Sequence, residues 1–123
     1  MIHLTPEMLE ATYELLRTTP PFRRWKLPEA DDVEFHVTRH RVLSGQYTYL
    51  RSKKRVLWHR IEISTTCNKN LRDMMETMAH EMCHIRQRTA DRAAKTRTLT
   101  HGRAFKRLAA LVCRHHGFNP KTF

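Results

Sequence analysis

The chain is poor in cysteine, and its three cysteines (Cys67, Cys83 and Cys113) form no C-x-x-C pair. That spacing argues against a disulfide framework and against a zinc ribbon, and the simplest compartment is the reducing cytoplasm. No apolar run approaches the ~18 residues that a membrane span needs. The N-terminal stretch MIHLTPEMLEATYELL carries acids but no basic region, so a secretory signal is not expected. Repeats and low-complexity segments are also missing. Acidic residues are scarce: 12 Asp+Glu stand against 23 Lys+Arg, a formal charge of +11 on 123 residues. Such an excess favours polyanions, nucleic acid first among them, although it also serves solubility. The hydrophobic share of 40% supports a modest core and one domain over 1–123.

The patterning predicts an α+β fold. Thr5 is placed as an N-cap and Pro6 as the first helical residue, with Leu4 and Leu9 as a staple across the start. Leu9, Thr12, Leu15 and Leu16 form the apolar stripe of this first helix, which Pro20-Pro21 ends. Three strands follow, at Val33–Val37, Gln46–Leu50 and Leu57–Ser64, each alternating apolar with polar residues. Their short connections, including a turn at Ser52-Lys53-Lys54-Arg55, suggest a three-stranded antiparallel meander. A second helix carries Leu71, Met74, Met75, Met78, Met82 and Ile85 on one stripe. A basic, threonine-rich loop at Asp91–Thr100 leads to a last helix with Ala104, Phe105, Leu108, Leu111 and Val112, which Gly117 can close.

His80-Glu81-Met82-Cys83-His84 matches H-E-x-x-H inside the strongest helical pattern of the chain. Histidines at i and i+4 are neighbours on one helix face, so two imidazoles can reach one zinc ion, with Glu81 beside it as a base for water. On the helical wheel both histidines point away from the methionine stripe. Catalytic zinc takes three protein ligands. The sequence has Gln87 and Ala90 where the metzincin continuation needs Gly and His, and no glutamate follows residue 84. Asp91 is a weak candidate for the third ligand. His101, at the head of the last helix and in line with Phe105, Leu108 and Val112, is the better one, although a histidine on such a stripe is more often core packing. Cys83, pointing away from the histidine face, reads as partly buried packing, Cys67 and Cys113 as plain thiols, and His115 and His116 suit a helix C-terminus.

His80-Glu81-Met82-Cys83-His84, followed after a basic loop by His101-Gly102-Arg103-Ala104-Phe105, resembles the SprT-like zinc metalloproteases. The strands ahead of the pentad and the Pro21-Phe22, Trp25, Leu27-Pro28 segment are similar as well, so the likeness spans most of the chain. It implies zinc held by His80, His84 and His101, the last supplied by the C-terminal helix, with Glu81 as general base. It also implies a zinc endopeptidase acting on DNA-bound or DNA-crosslinked proteins, with DNA as scaffold and activator. A zinc ribbon, frequent in the family, is not found here. The family assigns no electrophile that transfers, and Tyr47, Tyr49, Arg103 and His115 are candidates for stabilising an oxyanion. DNA contacts are expected from the basic clusters at 23–26, 51–55, 86–97 and 103–107, without sequence preference. Trp25 and Trp58 are candidates for stacking on single-stranded bases. The third strand, if an edge, would align an extended substrate. The alternative is a basic nucleic-acid-binding module whose zinc is structural or vestigial.

Overall fold

A computed structural model describes residues 2–51, 56–90 and 101–123. The turn expected at 52–55, the loop at 91–100 and Asp91 with it lie outside the described residues. Helix α1 runs Pro6–Arg17, and Thr5 caps it by accepting from the Met8 N–H at 3.2 Å. Its buried stripe is Leu9, Tyr13 and Leu16, while Leu15 is 57% exposed. Leu9 and Leu16 are thus buried as expected, but Tyr13 takes the inner place expected of Leu15: its ring meets Phe35 and its hydroxyl donates to the Pro28 carbonyl at 2.5 Å. An aromatic ring with a partner for its polar tip outcompetes a leucine for the inner face.

The strands are β1 (Val33–Thr38), β2 (Gly45–Arg51) and β3 (Val56–Ser64), in spatial order β1-β3-β2. β2 and β3 form the expected antiparallel hairpin, but β1 lies parallel to β3, with Val33 opposite His59 and Thr38 opposite Ser64. The sheet is mixed, not an antiparallel meander. β3 is its centre, so the strand expected as an edge has partners on both sides, and among the described residues β1 and β2 are the edges. The reason lies in residues 39–44, which cross the end of β3 rather than turning back beside β1. Residues at the end of β3 and just after it hold this crossing. Ser64 donates through its hydroxyl to the His40 carbonyl at 2.6 Å and through its N–H to Ser44 at 2.9 Å. Asn68, almost fully buried, donates to the carbonyls of Ser44 and Ser64 and accepts from the Thr77 hydroxyl.

Helix α2 (Leu71–Ala90) is the central element, packed against α1, β2, β3 and α3 (Arg103–His116). Asn70 caps it, its side chain accepting from the Asp73 N–H at 2.8 Å. Met74, Met78, Met82 and Ile85 are buried as the stripe predicts, but Leu71 at its first turn is 54% exposed. Cys83 is fully buried as well, because α3 covers that side. Gly117 closes α3 in the left-handed conformation (φ 74°), donating to the Cys113 carbonyl at 2.8 Å. Trp25 belongs to the core, edge-on to Phe22 at 5.1 Å, and its carbonyl accepts from Arg86. Burial removes it as a surface for stacking bases. Trp58 stays half-buried, with the Arg60 guanidinium 5.3 Å from its ring.

Candidate metal centre

Successive residues of a helix turn by ~100°, so His80 and His84 share one face of α2 while Glu81 swings to the next. That rotation points the histidines at the start of α3 and Glu81 at β2. His101 joins them from the turn before α3, one residue ahead of the N-cap Gly102. The third histidine is thus off the helix that was expected to supply it: it is exposed, not on the inward stripe. Phe105, from the first turn of α3, packs its ring against all three imidazoles at centroid distances of 4.6–4.8 Å.

The three Nε2 atoms converge. His101 Nε2 lies 3.1 Å from His80 Nε2 and 3.1 Å from His84 Nε2, and the three potential ligand atoms all fall within 4.8 Å of one another. Tetrahedral zinc, with Zn–N bonds of about 2.0–2.1 Å, spaces its nitrogen ligands by about 3.3 Å. The donor set therefore fits a zinc ion, and lone pairs brought this close are stabilised by a cation between them. Burial lowers the pKa of His80 to about 4 and pushes His84 down as well, which keeps both imidazoles in the neutral form that ligates.

Glu81 is 5% exposed, and burial pushes its carboxyl up to about 8. The Tyr47 backbone N–H donates to it and works the other way, favouring the carboxylate. A cation at the histidines would pull the same carboxyl down further. β2 reaches this close to α2 because it begins with glycine. A Cβ on Gly45 would lie 2.5 Å from Thr77 Cγ2 and 3.1 Å from Glu81 Oε2.

The centre opens into a cleft of about 1420 Å³ between β2 and α2. Val42, Leu43 and Leu50 form an exposed apolar rim along it. Of the four candidates for an oxyanion partner, Tyr47 and Tyr49 line the cleft, while Arg103 lies on the outer face of α3 and His115 is exposed in its last turn. The Tyr47 hydroxyl is 2.7 Å from His59 Nδ1, which commits it to the sheet. The Tyr49 ring stacks on Tyr47 and carries the Arg88 guanidinium at 4.6 Å. Arg86 and Arg88 thus serve packing, while Arg23, Arg24, Lys26, Arg103, Lys106 and Arg107 stay exposed. Among the described residues, no helix is long and apolar enough to cross a membrane.

Sequence reasoning missed Gly45, Asn68, Gln87 and Phe123. Only Asn68 left a trace, in the polar run Ser64-Thr65-Thr66-Cys67-Asn68 after an apolar strand. A histidine cluster able to hold a metal, beside a buried carboxyl in an open cleft, is compatible with a metalloprotease-like domain. Comparisons with curated proteins and with solved structures return no match. The SprT-like family profile matches residues 10–123, nearly the whole length, and the chain belongs to the SprT-like family.

Proposed function

We propose that the protein is a zinc-dependent endopeptidase, with His80, His84 and His101 as metal ligands and Glu81 as general base. The observation that carries this reading is the convergence of three Nε2 atoms beside a buried glutamate, at the floor of an open cleft. Zinc, when bound, would supply a Lewis acid that makes water a competent nucleophile near neutral pH and polarises the scissile carbonyl. Glu81 takes the proton of the attacking water on a carboxylate oxygen and returns it to the leaving amine. The Tyr47 N–H holds that carboxylate in place. As the edge strand along the cleft, β2 offers an extended peptide a backbone to pair with, the role first expected of β3.

The substrates are proteins bound or crosslinked to DNA, and DNA acts as scaffold and activator. The charge of +11 and the exposed cations at 23–26 and 103–107 support this part of the reading. A His101 exposed beside an open cleft suits a catalytic ion better than a structural one, which is usually closed and four-coordinate. Glu81→Gln should retain about one zinc per chain by elemental analysis and lose cleavage of protein substrates with or without DNA. His101→Ala should lose the zinc. Turnover surviving in Glu81→Gln would overturn the mechanism, and zinc surviving in His101→Ala would move the third ligand elsewhere.

A further inference from the structure

Two contacts at the centre have no part in that mechanism. An imidazole that ligates through Nε2 must carry its proton on Nδ1, and an acceptor facing Nδ1 fixes that tautomer and the ring's orientation. Both helical histidines have one. His80 Nδ1 lies 2.7 Å from the main-chain oxygen of Phe123, and His84 Nδ1 lies 3.1 Å from Gln87 Oε1. Gln87 is three residues beyond His84, on the same face of α2, where a side-chain amide can reach the ring.

Phe123 comes from far away in the chain and is delivered by a built segment. Past Gly117 the backbone runs back along α2. Arg72 donates to the Gly117 carbonyl at 2.9 Å and lies over the Phe118 ring at 5.5 Å. The chain then coils around Asn119, whose side-chain oxygen accepts from the Lys121 N–H and whose carbonyl accepts from the Thr122 and Phe123 N–H groups. The Phe123 ring stacks on Phe118 at 6.0 Å and lies 5.4 Å from the His80 ring. We infer that Gln87 and the 117–123 segment are positioning elements of the metal centre: their two oxygens hold the Nδ1–H groups of His84 and His80, so that both Nε2 lone pairs face His101. The inference rests on the zinc-centre reading above.

Cobalt(II) titration of the full chain, read by its visible absorption and by competition with a chelator, tests this without recourse to activity. Gln87→Ala, and separately a chain ending at Pro120, should bind the ion about 10–100-fold more weakly. Gln87→Glu, which keeps an acceptor in either orientation of the side chain, and Phe123→Ala, which keeps the main-chain oxygen, should stay close to the parent protein. Matching circular dichroism and unfolding midpoints without metal show that weaker binding is not loss of fold. If the shortened chain does not fold, the Gln87 pair alone decides. Parental affinity and spectrum in Gln87→Ala overturn the inference and leave the zinc centre standing. Phe123→Ala as weak as the shortened chain overturns the role of the main-chain oxygen. A parent protein that takes up no cobalt overturns both the inference and the zinc reading beneath it.

Discussion

Gly45 has no side chain, and the candidate site depends on that. Its missing Cβ lets β2 approach α2 closely enough for the Tyr47 N–H to reach Glu81. Gly45→Ala would drive a methyl against Thr77 Cγ2, and Thr77 cannot turn away without giving up its bond to Asn68. The strand must back off, at a cost of about 1–3 kcal/mol typical of overpacking. Denaturant unfolding should show that loss, and kcat should fall with it because Glu81 loses its donor. Thr77→Ser, which removes the methyl and keeps the hydroxyl, should restore most of both in the double variant. A double variant no better than Gly45→Ala would refute the steric account. His80, Glu81 and His84 were readable in the sequence because helical spacing alone brings them together. Gly45 was not, since its importance comes from a helix distant in the chain.

At the scale of elements, the helices were legible and the sheet was only half so. Caps and periodicity are local, and Thr5, Pro6 and Gly117 mark ends that the structure places where they were expected. The β2–β3 hairpin is local too. The parallel pairing of β1 depends on the 39–44 crossing, which Ser64 and Asn68 hold at the end of β3. Asn68→Ala would leave the Thr77 hydroxyl and two main-chain carbonyls without this partner, costing about 2–3 kcal/mol in unfolding free energy. Stability unchanged by urea titration would mean that the crossing is held otherwise. Helix α3 makes a different prediction. Arg103, Lys106 and Arg107 share its exposed face. Replacing Lys106 and Arg107 by Glu should leave folding intact and weaken binding to a mixed-sequence oligonucleotide. The log–log slope of affinity against salt should then shrink by about 2, one for each phosphate no longer neutralised. An unchanged slope would exclude this face as a DNA-binding surface.

For the whole molecule, the pH response follows from where its histidines are buried. His59, within the sheet beside Tyr47, and His116, against Phe22, both have pKa values pushed below 6.5, chiefly by burial. Below pH 6.5 the unfolded chain therefore binds more protons than the folded one, and stability declines as pH falls toward the depressed values. Glu81, pushed up to about 8, contributes in the opposite sense and loses stability as pH rises from 4.5 toward 8. Chelated Glu81→Gln protein, unfolded by denaturant at pH 7 and pH 5, isolates the histidines and should be less stable at pH 5. In the chelated protein His80 and His84 act in the same sense, so equal stability at the two pH values would mean that none of these four histidines is depressed by burial.

The pairing of His80 with His84 on one face and the character of α2 followed from residues within a few turns of one another, where backbone geometry leaves little choice. His101 needed the order of two motifs as well as their spacing. Tertiary structure decided the rest: that β3 is the central strand and β2 the one along the cleft, that Trp25 is core, that Glu81 is buried, and that Phe123 meets His80. Each of these joins segments far apart in the chain, and the energy that selects them comes from packing and hydrogen bonds that exist only once those segments have met.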